Sequence, residues 1–263
     1  MLVAGVDVGA ATAKAVVVSD SKVVGQAVIP TGDRIVVAAD KVTRLALEMA
    51  GMWRDNFDFG AGFDYVISTG YGRHGVPFAN KAVTEIICHA QGAHFLLPAT
   101  RTIIDIGGQD SKAIGLDEKG NVINFVMNDK CAAGTGRFLE VMAQVLGVTI
   151  EEMGPIALTS KNPCQISSTC TIFAESEMVS LRAEGKSRED LIAGIVRAVS
   201  SRVAVMGKTV GFKRDVVFTG GVAKNVGVKK ALEEEIKMEI IVPEEPQTMG
   251  ALGAALLAKV ELS

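Results

Sequence analysis

Short apolar runs separated by polar turns dominate the first half of the chain. β-like runs cover residues 2–6, 15–18 and 22–29, and apolar positions then recur with a helical period over residues 36–52. Runs of this length with turns between them are typical of a β-meander, and a 3.6-residue period is typical of an amphipathic helix. The pattern therefore predicts an α/β unit at the amino terminus.

The same order of elements recurs in the second half of the chain. Three β-like runs and then a helical pattern occupy residues 102–104, 113–116, 121–127 and 138–146. The segment DVGAATAKAV at 7–16 aligns with DIGGQDSKAI at 105–114, so that Asp, Gly, Lys and Ala coincide. Internal similarity of this kind indicates repeated structural units. We therefore interpret the chain as two related lobes.

A third glycine turn follows later in the chain. The turn TGGVAKN at 219–225 comes after an apolar strand at 216–218 and before a helix that runs from about residue 226 to 237. A last helix over 251–259 is rich in small residues, which allow close approach to another element. The predicted domains are an N-terminal lobe, a C-terminal lobe and a C-terminal helix that packs back toward the N-terminal lobe, with bounds 1–97, 98–245 and 246–263.

Composition supports a folded α/β protein. The 263 residues are 48% hydrophobic and 5% aromatic, include 28 glycines, and carry a formal net charge of -3. A negative net charge does not indicate the basic surface that binds nucleic acid. The mixture of positive and negative residues argues against disorder. No apolar run approaches the roughly 18 residues of a membrane span, and the amino terminus lacks the parts of a signal peptide. We therefore expect a cytoplasmic protein with neither a membrane nor a nucleic-acid partner.

Each repeated segment contains the spacing Asp-x-Gly-x-x-x-x-Lys in a turn between two strands. The glycine lets backbone N–H groups approach phosphate oxygens, and Lys14 or Lys112 neutralises the phosphate charge. Asp7 and Asp105 are suited to hold Mg²⁺ through water. Two such turns facing each other across a cleft would bind the phosphates of a nucleotide from both sides, and the third glycine turn would accept the rest of it. The alternative is that these are only tight turns of an α/β core.

Two other segments partly match nucleotide-binding motifs, but the residues around them do not fit those motifs. Gly185-Lys186-Ser187 has Ser180 where a P-loop requires its first glycine, and no strand precedes it. The segment GYGRHG at 70–75 matches Gly-x-Gly-x-x-Gly, yet Pro77 interrupts the expected helix and no acidic residue lies about 20 positions on. We interpret residues 70–75 mainly as a structural loop.

Two of the four cysteines precede predicted helices. Cys131 lies in NDKCAAGTGRF and Cys170 in SSTCTIFAES, so both are expected at helix N-termini, where backbone N–H groups favour a thiolate. Two thiolates are half of a Cys₄ set, and a twofold partner would complete a site for a [4Fe–4S] cluster or Zn²⁺. The alternative is that these cysteines fill the core.

The remaining cysteines are weaker candidates for metal ligands. Cys164 is close enough to Cys170 in sequence to substitute for it. Cys88 lies near His89 and His94, but these side chains point about 120–140° apart on a helix and do not converge on one ion. Packing in the core or at the surface is the expected role of Cys88 and the two histidines.

The phosphate turns and the third glycine turn resemble those of the actin, sugar kinase and Hsp70 superfamily of ATPases, whose fold is ribonuclease H-like with two duplicated lobes. Segments 128–142 and 166–178 closely resemble the activators of 2-hydroxyacyl-CoA dehydratases, which are grouped with the benzoyl-CoA reductase ATPase subunits as the BadF/BadG/BcrA/BcrD ATPase family. TGYGR at 69–73 and DIGGQD at 105–110 extend this resemblance. It covers nearly the whole chain.

The resemblance implies an ATPase coupled to electron transfer. It implies that Cys131 and Cys170 bind one [4Fe–4S] cluster between the two subunits of a homodimer. It further implies that ferredoxin or flavodoxin supplies electrons, and that binding of ATP and Mg²⁺ closes a cleft between the lobes. Single low-potential electrons would then pass to a 2-hydroxyacyl-CoA dehydratase. The alternatives are a permanent ATPase subunit of a benzoyl-CoA reductase and, in another class, a small-molecule kinase or actin-like scaffold without a cluster.

The resemblance also assigns roles within the turns. Gln109 or Asp105 orients the attacking water, Gln247 lies near the nucleotide, and Lys130 with the turn at 134–136 links the lobes to the cluster helix. A departure from the family is Ala10, where a hydroxyl that would bond phosphate is often present. The residues expected to bind phosphate or nucleoside through their backbone or side chains are Gly9, Ala10, Ala11, Thr12, Ala13, Gly107, Gly108, Gly134, Thr219, Gly220 and Gly221.

Overall fold

Two units make up the chain in a computed structural model, which describes residues 1–20, 22–167 and 170–262. Unit 1 comprises Met1–Thr100, Leu116–Ile123 and Glu244–Ser263, and unit 2 comprises Arg101–Gly115 and Asn124–Pro243. The C-terminal helix therefore belongs to the same unit as the amino terminus. The boundaries predicted from the sequence at residues 97 and 245 stay predictions.

Each unit contains one five-stranded sheet. In unit 1 the spatial order is β3-β2-β1-β4-β5, and in unit 2 it is β8-β7-β6-β9-β10. In both, the first strand pairs antiparallel with the second and parallel with the fourth. The strands are β1 Leu2–Val8, β2 Thr12–Ser19, β3 Lys22–Pro30, β4 Tyr65–Thr69, β5 Lys81–Ala82, β6 Thr102–Ile106, β7 Ser111–Leu116, β8 Val122–Asn128, β9 Val216–Thr219 and β10 Ile240–Ile241.

The helices cover the two sheets and connect their strands. Short 3₁₀ turns lie at Arg73–Gly75 and Gly221–Lys224. The α-helices are α1 Ile35–Met49, α2 Phe59–Gly62, α3 Glu85–Leu96, α4 Gly136–Leu146, α5 Ile150–Ala157, α6 Thr171–Ala183, α7 Arg188–Lys208, α8 Val226–Ile236 and α9 Met249–Val260. None of the helices in the described part of the chain is long and apolar enough to cross a membrane.

The duplicated α/β fold predicted from the sequence is confirmed. The two meanders, the strand before each glycine turn and the helices α1, α4, α8 and α9 lie within a few residues of their predicted positions. The sheets share one strand order, and the two aligned segments occupy the same place in it, at the hairpin between the first two strands of each unit. The predicted elements do not include α5 and α7.

Small residues bring α9 close to the sheet and to α3 in unit 1. A Cβ on Gly5 would overlap the carbonyl oxygen of Ala251, and a Cβ on Gly253 would overlap that of Cys88. Because only glycine lacks this atom, both positions permit backbone-to-backbone packing. The close approach predicted from Gly253 is therefore confirmed, and it brings the first turn of α9 beside the end of β1.

Candidate functional site

The turn after β1 carries a cross-strand pair of opposite charge. Asp7 on β1 lies directly opposite Lys14 on β2, and Lys14 Nζ is 3.3 Å from Asp7 Oδ2. The Asp7 side chain is only 6% exposed. The Gly9 N–H donates to the carbonyl oxygen of Thr12 at 3.0 Å, which closes the turn. The sequence motif thus folds into a fixed carboxylate and ammonium beside an exposed backbone turn.

Unit 2 repeats this arrangement with one addition. Asp105 on β6 lies opposite Lys112 on β7, and Lys112 Nζ is 3.2 Å from Asp105 Oδ2. Asp110 also accepts from Lys112 Nζ, at 2.7 Å. The Gly107 N–H donates to the carbonyl oxygen of Asp110. Lys112 is therefore held between two carboxylates, and sequence reasoning missed the second one although it lies in the aligned segment.

The third glycine turn supports Asp105 directly. Thr219 at the end of β9 is in register with Asp105, and its hydroxyl donates to Asp105 Oδ1 at 2.7 Å. The Thr219 side chain is fully buried, so water does not compete for this hydrogen bond. The bond therefore fixes the orientation of the Asp105 carboxylate. Gly220 follows at φ +86°, and a Cβ there would overlap the backbone of Ile106. The turn predicted for a nucleoside is thus joined to the second phosphate turn.

A matching Thr-Gly pair exists in unit 1. Thr69 is in register with Asp7, and Gly70 follows at φ +83°. A Cβ on Gly70 would overlap Asp7 Oδ1, and the Gly72 N–H donates to the carbonyl oxygen of Val8 at 2.7 Å. Residues 70–75 thus form a turn and a short 3₁₀ segment packed against the end of β1, and their purely structural role stays a prediction. The signal that sequence reasoning missed is the recurrence of Thr-Gly after the fourth strand of each unit.

The other residues assigned to the nucleotide differ in their exposure. Ala10, Ala11 and Gln109 are exposed, Thr12 and Gln247 are partly buried, and Ala13 is fully buried within β2. Sequence reasoning missed Thr31, whose hydroxyl donates to the carbonyl oxygen of Gly9 at 2.8 Å. The sequence has no pattern that marks Thr31, because the contact joins the end of β3 to the preceding hairpin.

Cys131 is in a loop and not at a helix N-terminus, which corrects the prediction. Helix α4 begins at Gly136 with Thr135 as N-cap, because Thr135 closes a turn onto the carbonyl oxygen of Ala132. The Asn128 side chain donates to the carbonyl oxygen of Cys131 at 2.8 Å and accepts from its N–H at 3.3 Å. Asn128 therefore fixes the loop that carries the half-buried Cys131.

Cys170 is at a helix N-terminus, as predicted. It is the N-cap of α6, it is exposed, and its side chain makes no capping hydrogen bond. Large apolar side chains of the same helix are also exposed, namely Ile172 at 73%, Phe173 at 67% and Val179 at 60%. Ser168 and Thr169, in the segment used for the resemblance, lie outside the described residues.

The other two cysteines have different surroundings. Cys88 is fully buried, and burial raises the pKa of its thiol to about 12. Cys164 is partly buried, burial raises the pKa of its thiol, and its N–H donates to the carbonyl oxygen of Asp190. Cys164 also lines a cavity of about 790 Å³ in unit 2, together with Gly134 and Arg202. His89 and His94 contact different segments, so the expectation that they do not converge is confirmed.

The donor groups fit the two expected metals in different ways. Within residues 1–20, 22–167 and 170–262, no group of three or more His, Cys, Asp or Glu is placed to hold a metal ion. Mg²⁺ with nucleotide needs only one or two carboxylates, because water and phosphate supply its other ligands. Asp7 in unit 1 and Asp105 in unit 2 each offer one such carboxylate. Cys131 and Cys170 fit half of a Cys₄ set and require a second copy of the chain for the rest.

The fold and the two Asp–Lys turns define the class of protein: a two-unit ATPase fold of the actin, Hsp70 and sugar-kinase type. A glucokinase from Streptomyces griseus shares the fold at a TM-score of 0.58 and 14% identity, covering 99% of this chain and 100% of that one. The model of the BadF/BadG/BcrA/BcrD ATPase family matches residues 4–258. The chain belongs to that family.

Relatives within the family are similar along their whole length. The activator of lactoyl-CoA dehydratase from Anaerotignum propionicum is 47% identical, over 98% of this chain and 97% of its own. The solved activator of 2-hydroxyisocaproyl-CoA dehydratase from Clostridium difficile, with bound ADPNP, has a TM-score of 0.91 and 45% identity, covering 99% and 95% of the two chains. A benzoyl-CoA reductase polypeptide from Thauera aromatica is 32% identical over 97% of this chain and 92% of its own.

Proposed function

We propose that this chain is an ATP-hydrolysing iron–sulfur protein that supplies low-potential single electrons to a 2-hydroxyacyl-CoA dehydratase. The observation that carries the proposal is the coexistence of two ordered Asp–Lys turns with the thiols of Cys131 and Cys170 in one chain. The 47% identity to a lactoyl-CoA dehydratase activator supports the choice of partner. A solved relative with bound ADPNP supports the choice of nucleotide.

The turns act on the phosphates of ATP. Backbone N–H groups of Ala10 to Thr12 and of Gly108 bind phosphate oxygens, while Lys14 and Lys112 neutralise their charge. Asp7 and Asp105 would hold Mg²⁺ through water, and the ion would supply positive charge for the phosphates. Asp105 or Gln109 orients the water that attacks the terminal phosphorus, and ADP leaves with phosphate. Gly220, Gly221 and Gln247 line the rest of the nucleotide.

Cys131 and Cys170 are the proposed ligands of one [4Fe–4S] cluster, shared by two copies of the chain. Held by these thiols, such a cluster would supply one-electron chemistry at low potential, with ferredoxin or flavodoxin as the electron donor and the dehydratase as the acceptor. The homodimer is supported by the half-set of thiols and by the exposed apolar side chains that follow Cys170 on α6. Lys130 and Gly134 lie in the loop that joins β8 to α4 and connect the nucleotide turn to the cluster.

Paired variants of the nucleotide turns test the ATPase part of the proposal. Lys112→Ala and Asp105→Asn should each reduce the rate of ATP hydrolysis at least about 100-fold, because positioned charge on phosphate is the main catalytic contribution. Lys119→Ala changes an exposed lysine in a turn of unit 1 and serves as the control. Equal activity of the Lys112 and Lys119 variants would contradict the assignment.

Serine variants of the cysteines test the cluster part. After anaerobic purification, Cys131→Ser and Cys170→Ser should contain no iron or labile sulfide and should dissociate more readily to single chains. Cys164→Ser should keep both the cluster and the dimer. If Cys164→Ser loses the cluster while Cys170→Ser keeps it, the ligand pair is wrong.

The second candidate is a permanent ATPase subunit of a benzoyl-CoA reductase, and the 32% identity to the Thauera aromatica reductase polypeptide favours it as the alternative. The two functions differ in how the protein purifies. An activator should purify alone as a homodimer, whereas a reductase component should co-purify with larger cluster-containing subunits. An anaerobically purified protein without iron or sulfide would instead favour a kinase or an actin-like scaffold.

A further inference from the structure

The two Asp–Lys turns carry opposite charges beside their glycines. In unit 1, the position that a Cβ on Gly9 would occupy is 3.2 Å from Lys14 Nζ. In unit 2, the equivalent position on Gly107 is 2.5 Å from Asp110 Oδ1. The first turn therefore places an ammonium against the backbone of its glycine, whereas the second turn places a carboxylate there.

The Asp110 side chain is an addition to a turn that closes without it. In the alignment of 7–14 with 105–112, Thr12 stands where the second segment has Asp110. Each of these two residues accepts the N–H of its turn glycine through its backbone carbonyl oxygen, at 3.0 Å in unit 1 and 2.9 Å in unit 2. The main-chain closure is thus the same in both turns, and the Asp110 carboxylate serves another purpose.

Asp110 changes the charge of the second turn. Asp110 and Asp105 both form ion pairs with Lys112 Nζ, at 2.7 Å and 3.2 Å. These two carboxylates and one ammonium carry a net negative charge, whereas the charges of Asp7 and Lys14 in the first turn balance. A phosphate group that approaches the second turn without a cation therefore meets a charge of its own sign, which opposes binding.

This repulsion is removed when the nucleotide carries a divalent cation. Nucleotide-bound Mg²⁺ takes one or two carboxylates from a protein, and phosphate and water supply its other ligands. Asp105 and Asp110 offer two carboxylates beside one ammonium. The Asp110 side chain is 30% exposed, against 4% for Asp105, so a hydrated cation reaches Asp110 more easily.

We propose that Asp110 makes the second turn selective for nucleotide that carries a divalent cation, by opposing the binding of metal-free nucleotide. This inference rests on the proposed function, which assigns the phosphates of ATP to this turn. The first turn has no such selector, because the Thr12 hydroxyl at the equivalent position is neutral. Asp110 is therefore a specificity-determining residue of the second turn.

The variants are Asp110→Asn, which removes the charge and keeps the shape, and Asp110→Thr, which gives the second turn the residue of the first. Glu118→Gln is the matched control, because it removes an exposed carboxylate in the turn between β7 and β8, outside segment 105–112. The full chain is purified anaerobically. Calorimetry then measures its affinity for ADPNP in Mg²⁺ and in EDTA.

Asp110→Asn should bind metal-free ADPNP about tenfold more tightly than the parent protein, because a like charge near the phosphates is gone. The gain in affinity that Mg²⁺ gives should fall by a similar factor. Asp110→Thr should show both changes, and Glu118→Gln should stay within about twofold of the parent, because water and salt screen its charge. Thermal unfolding identifies any variant whose fold is lost, and the other Asp110 variant then decides.

The inference is overturned if loss of the Asp110 charge weakens metal-free and Mg²⁺-bound ADPNP by the same factor, as expected if Asp110 only holds Lys112 in place. It is also overturned if the ratio of the two affinities matches that of Glu118→Gln. Its failure is distinct from failure of the proposed function. A parent protein that binds ADPNP but neither hydrolyses ATP nor contains iron contradicts the proposed function, and the ratio of affinities still decides the role of Asp110.

Discussion

At the scale of single residues, the two Asp–Lys pairs differ in how deeply they are buried. The side chains of Lys112 and Asp105 are each 4% exposed, and Lys112 also binds Asp110. The Lys14 side chain is 14% exposed and its partner is Asp7. Removal of the partner of a buried charge strongly destabilises the fold. The loss of stability is smaller where water can reach the charge. Loss of the lysine in the second turn should therefore reduce the stability of the fold more than loss of the lysine in the first turn.

Replacing each lysine by methionine tests this difference. Lys112→Met should reduce the free energy of unfolding by about 3–5 kcal/mol, because Asp105 then remains buried without its cation. Lys14→Met should cause a smaller loss. Urea denaturation measures both, and the double variant Asp105→Asn/Lys112→Met should recover part of the stability. Equal losses for the two lysines would contradict the burial argument.

The cysteines should differ in their reactivity toward a thiol reagent. Cys170 is exposed at the start of α6, whereas Cys88 is buried and its pKa is raised to about 12. Because the thiolate is the nucleophile, Cys88 should resist iodoacetamide at pH 8 in the folded, iron-free protein, while Cys170 reacts first. Mass spectrometry of timed samples measures the order. Labelling of Cys88 at the rate of Cys170 would show that the packing of α3 is wrong.

At the scale of elements, helix α9 depends on glycine at its contacts. Gly253 lies against the backbone of α3, so Gly253→Ala should destabilise unit 1 by more than about 3 kcal/mol, since a backbone cannot yield as a flexible side chain does. Gly60→Ala is the matched control, because its new Cβ would be 3.4 Å from Asp58 Oδ1, an ordinary contact. Thermal unfolding compares the two, and a similar melting temperature for both variants would refute the close approach.

The first turn of α7 contributes stability that depends on pH. Hydrogen bonds from the Ser160 hydroxyl, then from Ser187 and the Asn162 N–H, lower the pKa of Asp190 below its usual 3.8. A lowered folded-state pKa gives stability that is present above the unfolded-state value and is lost as the pH falls through the folded-state value. Asp190→Asn should therefore be less stable than the parent at pH 7, and the difference should shrink progressively as the pH falls below 3.8. A difference that stays constant down to pH 2 would contradict this cause.

The elements show what the sequence can predict. Both meanders follow from short apolar runs and from the aligned segments, because strand periodicity is a local property. The prediction that Cys131 lies at the N-terminus of α4 is wrong, since Asn128 and Thr135 hold it in a loop whose hydrogen bonds have no periodic signature. The sequence does not reveal Thr31 as a partner of the first turn, because its contact joins segments distant in sequence.

At the scale of the whole molecule, duplication explains the nucleotide chemistry but not the cysteines. The strand order, the Asp–Lys pairs and the Thr-Gly turns recur in both units. Cys131 and Cys170 occur only in unit 2, on the segments before α4 and α6. A family ATPase fold thus carries two additional thiols, and the proposed function requires that two chains combine them in one site.

The measurement that tests this account most directly is the native molar mass of the anaerobically purified protein, determined together with its iron and labile sulfide. The expected result is a homodimer that contains one [4Fe–4S] cluster per two chains and dissociates when the iron is removed. A colourless single chain without iron or sulfide, which still hydrolyses ATP, would contradict it.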